Sequence, residues 1–171
     1  PQQQSYRGAQ HQLVVEPELM ASLRSLARQH NATPYVVLLA AFQTLLYRYT
    51  GETDIAVGSP IANRNHAAYE QLIGFFANTL VLRSDLSGDP TFSELLDRVR
   101  ETALDAYSNQ DLPFEKLVEV LQPQRDTSHS PLFQVLFAFH DMPVLPEIPG
   151  LSFKLWDLDT ATAKFDLSLL L

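Results

Sequence analysis

The spacing of apolar residues along the chain changes several times, and the changes fall at capping or turn residues. Leu19, Met20, Leu23, Leu26 and Ala27 recur at helical intervals up to His30, and Pro17 suits a first helical position. Thr33 before Pro34 predicts a second helix start, with Gly51 as its stop. Between them residues 36–46 are apolar nearly all round, the pattern of a helix buried on several sides. Thr91 and Glu94 have capping-box spacing and open an amphipathic helix through Tyr107, with Leu95, Leu96, Val99, Ala103 and Leu104 on one face. A shorter helix from near Pro113 is expected to bury Phe114, Leu117, Val118 and Leu121.

Elsewhere the pattern shortens to strand length. Residues 11–15 form a short candidate strand, residues 54–59 an interior one and residues 75–83 a longer one, with a turn of helix over 69–72. Residues 132–139 are almost continuously apolar, which predicts a sheet covered on both faces. Two more strands are expected over 151–156 and 164–171. In the last, Phe165, Leu167, Leu169 and Leu171 alternate with Lys164, Asp166 and Ser168. The fold class is α/β, a mixed and largely buried β-sheet flanked by helices. Residues 1–10 are polar and read as a linker-like start. The chain stops inside the apolar run LSLLL, which predicts a boundary within a larger fold.

Composition narrows the function classes. With 171 residues, 46% hydrophobic and 19% charged, the chain suits one domain or one lobe of a larger one. It holds no cysteine, which removes disulfides, a thiolate nucleophile and zinc–thiolate sites. A net charge of −8 with scattered Lys and Arg does not fit nucleic-acid binding, which needs clustered cations. No apolar run is long enough to span a bilayer, so no membrane association is expected and the cytoplasm is the expected compartment.

The five histidines lie far apart and form no metal-ligand pair such as H-E-x-x-H, so no metal site is expected. Glycine-rich nucleotide motifs and the G-x-S-x-G elbow are also missing. Asn78 is more informative, because on its strand it interrupts a row containing Phe76, Leu80 and Leu82. A buried amide needs partners. It either pins the backbone of a neighbouring loop or lines a tunnel and binds an amide-bearing substrate. Asp111 and Glu115, flanking Leu112-Pro113-Phe114, read as an N-terminal cap. Arg125 and Asp126 read as a loop clamp, and Gly58-Ser59-Pro60 as either a ligand approach or a turn.

In combination these stretches are more specific. The order GSPIANR, IGFFANTLVLR, NQDLPFEKL, RDTSHSPLFQ and AKFDLSL resembles the condensation domains of non-ribosomal peptide synthetases across essentially the whole chain. The middle three correspond to recognised core motifs of that family. Two departures stand out: the family often has Gly where Ala62-Asn63 stands and Arg where His129 stands. The first leaves open the path of the loop after Ser59, and the second is expected to loosen slightly the loop before Leu132.

The resemblance implies a chloramphenicol acetyltransferase-like fold of two lobes, with a tunnel between them reached from opposite mouths by carrier proteins. The family's HHxxxDG motif belongs to the upstream lobe and is absent here. The chain therefore reads as the C-terminal lobe over residues 11–171, without its N-terminal lobe, truncated before its natural end and inactive alone. By motif match, Asn78 and Ser59 are the tunnel candidates, and Arg64, Asp111, Pro113, Arg125 and Asp126 the structural motif residues. The segment 151–171 is expected to be a hairpin that reaches toward the partner lobe. No cofactor is expected to bind directly. Phosphopantetheine arms would carry the substrates, and the implied partners are the missing lobe, upstream and downstream peptidyl carrier proteins and an adjacent adenylation domain. Two other classes remain as alternatives: a non-catalytic docking module, and a coenzyme A-dependent acyltransferase. The latter should carry H-x-x-x-D, whereas His66 and Glu70 give H-x-x-x-E.

Overall fold

A computed structural model describes residues 5–123, 128–140, 148–153, 158 and 160–171. In chain order the elements are α1 (Pro17–Gln29), α2 (Pro34–Thr50), β1 (Asp54–Ile61), α3 (Ala67–Glu70), β2 (Asn78–Asp85), α4 (Phe92–Ser108), α5 (Phe114–Leu121), β3 (Val135–Ala138) and β4 (Leu167–Leu170). The sheet runs β2-β1-β3-β4. β1 and β2 are antiparallel, whereas β1–β3 and β3–β4 are parallel. The expected mixed sheet with helices against it is therefore present.

The helix boundaries follow the capping chemistry in the sequence. Pro17 opens α1, and Thr33 caps α2 by accepting a hydrogen bond from the Val36 N–H at 3.3 Å. Gly51 ends α2 in the left-handed conformation that glycine adopts without strain, φ 75°. Thr91 and Glu94 form the reciprocal capping box of α4. Glu94 accepts from the Thr91 N–H at 2.8 Å, and that contact holds its carboxyl below the usual carboxylate range.

The core lies between α2, α4 and one face of the sheet. Val37, Leu39 and Ala40 of α2 and Leu96 and Val99 of α4 pack against Val57, Leu82 and Phe137. Ile55, Val57 and Ser59 alternate inward on β1, opposite Ser84, Leu82 and Leu80 of β2. Burying side chains of this size supplies roughly 1.5–3 kcal/mol each, which makes this face the main stabilising unit. The α4 stripe is one residue shorter than its periodicity predicts, because Leu104 is exposed.

Several expected strands are shorter or absent. Residues 11–15 do not form a strand, and Leu13 and Val14 project into solvent. The strand expected over 75–83 begins at Asn78, where its pairing with Ile61 begins, and continues to Asp85. The apolar run 132–139 narrows to β3 because Leu132 turns the chain sharply with φ 67°. Both faces are covered at β1 and β3, where Gly58 and Ala138 are buried. At β4, Leu167 and Leu170 are exposed.

Of the hairpin expected over 151–171, residues 154–157 and 159 lie outside the described residues; Leu151 makes an isolated bridge to Ile148, and β4 pairs in parallel with β3. The linker-like start is also partly tied down. Arg7 bridges Thr162, the Gly8 N–H donates to the Ala161 carbonyl and the Ala163 N–H to the Tyr6 carbonyl. A Cβ on Gly8 would lie 2.6 Å from the Thr162 carbonyl carbon, so this approach requires glycine.

Candidate functional site

The motif segments meet at one end of β1 and β2, and Asn78 holds them together. Its Nδ2 donates to the carbonyls of Gln110 at 2.9 Å and Leu112 at 2.8 Å. Its Oδ1 accepts from the N–H groups of Thr79 at 2.9 Å and Phe114 at 3.0 Å. An amide offers two donor hydrogens and two acceptor lone pairs, and all four are occupied by main chain. Of the two readings of this residue, the geometry matches the bracket that pins the loop between α4 and α5.

The loop between β1 and β2 is tied from the other side. Arg64 donates to the carbonyls of Tyr69 and, at 3.3 Å, Gly74, and its guanidinium lies 4.3 Å from the centre of the Phe76 ring. Phe76 stacks on Tyr69, and His66 meets Tyr69 edge-on. Asn63 just before has φ 51°, a left-handed backbone that glycine or asparagine tolerates better than other residues. Beyond this clamp Ile73 and Phe75 stand free in solvent.

Asp111 does not cap α5. The residue at that cap is Pro113, which makes no side-chain cap bond. Asp111 instead accepts from Asn65 Nδ2 at 2.9 Å and joins the β1–β2 loop to the loop held by Asn78. α5 itself buries less than its spacing predicts: Phe114, Leu117 and Val118 are half-buried and Leu121 is exposed. Arg125 and Asp126 lie outside the described residues.

Gly58-Ser59-Pro60 is not a turn but part of β1. Ser59 is 2% exposed, and its Oγ accepts a 2.7 Å hydrogen bond from the Tyr35 hydroxyl. Burial pushes the Tyr35 phenol far above its ordinary range, against a smaller opposing pull from Ser59. Burial raises Tyr107 as well, with the Tyr35 hydroxyl pulling the other way. Both phenols are therefore neutral at ordinary pH, and Tyr35 acts as a hydrogen-bond donor.

On the opposite face of β1, the Phe133 ring lies close against Gly58. A Cβ on Gly58 would sit 2.2 Å from the ring. The same ring meets Phe114 edge-on at 5.6 Å and Phe165 at 5.3 Å. Tyr35, Asn65 and Phe133 are the residues that sequence reasoning missed. The first two carry no local signal, because their partners are far along the chain. Phe133 stands inside a motif, yet its partner Gly58 is visible only once β1 is built.

Among the described residues no group of three His, Cys, Asp or Glu side chains converges as a metal site. The arrangement among the described residues is a scaffold of brackets and aromatic seats that fixes loop positions. The described residues of the motif-like stretches thus lie together, and the family comparison agrees with this. The Condensation domain family model matches residues 1–170. The chain belongs to the condensation domain family. One of the linear gramicidin synthase proteins of Brevibacillus parabrevis is 51% identical to it over 173 residues, covering 99% of this chain and 2% of that protein. The chain spans 2% to 3% of the length of the gramicidin synthase proteins it matches.

Solved condensation-type structures agree on the fold. The X-domain from teicoplanin biosynthesis superposes with a TM-score of 0.88 at 29% identity, covering 98% of this chain and 38% of that one. That X-domain has also been solved in complex with OxyB. The condensation domain from the Monacolin K polyketide synthase MokA superposes with a TM-score of 0.69 at 30% identity, covering 74% of this chain and 30% of that one.

Proposed function

We propose that this condensation-family chain is the downstream lobe of a domain that forms amide bonds in non-ribosomal peptide synthesis. In the complete domain, the amine of an acceptor thioester attacks the carbonyl carbon of a donor thioester. A C–N bond forms, the C–S bond breaks, and the amine proton ends on the departing donor thiol. Both substrates ride on phosphopantetheine arms of upstream and downstream carrier proteins, an adjacent adenylation domain loads the acceptor, and the assembly works in the cytoplasm. The histidine of HHxxxDG is supplied by the upstream lobe. Residues 11–171 build the facing wall, and orientation is their contribution to rate.

The observation that carries this reading is the continuity of the wall. Asn78, Arg64 and Asp111, each from a different motif stretch, tie the β1–β2 loop and the α4–α5 loop into one surface. In this proposal Asn78 acts as a positioning residue for the wall, and Ser59 supports it from within through Tyr35. Both are one step behind any substrate. The segment ending in β4 faces the upstream lobe.

A docking module is the second reading, favoured by the high similarity to an X-domain that forms a complex with another protein. The deciding experiment supplies two aminoacyl carrier-protein thioesters to the complete domain and, separately, to this chain. Dipeptidyl carrier is measured by mass spectrometry. The complete domain is expected to form it and the chain alone to match the buffer rate. Condensation by the chain alone would sink the half-enzyme reading. A complete domain that forms no amide yet captures a carrier protein would leave the docking module.

A further inference from the structure

We infer that Phe133 is a positioning residue whose ring, seated on the bare α-carbon of Gly58, sets the height of the 109–114 loop over β1. The inference rests on the proposed function only in its catalytic consequence.

Three observations converge on this ring. The first is the seat itself. Phe133 is 3% exposed, and any Cβ at position 58 would overlap its ring atoms at 2.2 Å. Gly58 has ordinary strand geometry, so its lack of a side chain serves the close approach and not a turn. The second is the delivery of the ring. The Phe133 N–H donates to the Pro131 carbonyl at 2.9 Å around Leu132, whose φ is 67°. This is a γ-turn with a left-handed centre, a strained conformation for leucine that persists only where surrounding contacts over-determine it. Gln134 Nε2, donating to the Ser130 carbonyl at 3.0 Å, braces the same turn.

The third is what the ring touches. Its edge contact is Phe114, the residue whose N–H is held by Asn78 Oδ1. The loop bracketed by Asn78 is therefore gripped at one residue from two directions, by a hydrogen bond to its backbone and an aromatic contact to its side chain. Ser59, adjacent to Gly58, points to the opposite face and binds Tyr35. A shift of β1 at Gly58 thus moves both the seat and the Ser59 hydroxyl.

The test compares Gly58→Ala, Phe133→Leu and the double variant in the full chain by hydrogen exchange. Gly58→Ala should speed exchange over residues 109–117 about tenfold while residues 95–103 of α4 keep their protection. In the Phe133→Leu background, which lacks the clashing ring, the same alanine should add less than about twofold. Equal effects in both backgrounds, or unchanged exchange over 109–117, would overturn the seat. If Gly58→Ala does not fold, Phe133→Leu alone makes the same prediction for 109–117.

In the complete domain, Phe133→Leu should lower kcat about tenfold with the acceptor KM within about twofold, because misplacement and not binding is lost. Altered exchange with unchanged kcat would make the seat merely structural and overturn the positioning role. A complete wild-type domain that forms no amide would defeat the proposed function, while the exchange result would still judge the seat.

Discussion

The helix-backed half of the molecule and the motif-bearing end of the sheet are built on different physics. Under α2 and α4 the structure depends on apolar area: Val37, Ala40, Val57, Leu96 and Phe137 are completely buried. At the motif end, α5 buries no residue completely, and position is set by directed contacts from Asn78, Arg64, Asp111 and Phe133 to main chain, to a side-chain amide or to aromatic rings. Apolar packing tolerates volume-conserving exchange. Bracketing does not, because each donor has one geometry. The first region makes the fold durable and the second makes loop positions definite.

The contrast can be broken most severely at Phe137, which packs on Tyr35 and Phe42. Phe137→Ala should cost about 3–5 kcal/mol of global stability, read from urea unfolding by circular dichroism. A loss confined to the motif end would mean the core is not shared as described. Asn78→Ala should cost about 1–3 kcal/mol, since it strands the carbonyls of Gln110 and Leu112 and the N–H of Phe114. Its signature should be local, with faster exchange at 110–114 and little change in α2. A purely global loss would count against the bracket.

The smallest effect is expected at the capping box. Thr91→Ala should cost about 1 kcal/mol in thermal unfolding. Glu94→Gln should lower the melting temperature slightly at neutral pH. The carboxyl is depressed in the folded chain, so its contribution is present above the ordinary carboxylate range. It should vanish as the pH falls through the lower folded value. A difference that persists in strong acid would assign it to packing.

What was legible in the sequence follows the same division. The caps at Thr33, Gly51 and Thr91 act within four residues, so local chemistry identifies them. The periodic core of α2 and α4 was likewise readable. At the motif end the partners are remote: Asn65 meets Asp111, Tyr35 meets Ser59 and Gly58 receives Phe133. The cap expected of Asp111 failed because a tertiary partner competed successfully for its carboxylate. Residues 11–15 do not form the expected strand, because a short apolar run does not by itself make one.

The parallel pairing of Val57 with Val135 also orders events in time. β1 and β2 can pair as soon as residues 54–85 have left the ribosome, and α4 can cover them soon after. β3 must wait for α5 and the motif loops to be synthesised, and β4 for longer still. Such long-range closure is the slow kind, because chain entropy is lost before the contacts that offset it exist. During synthesis the inner edge of β1 therefore stands unpaired, and that interval is when this chain is most open to aggregation or to chaperone capture.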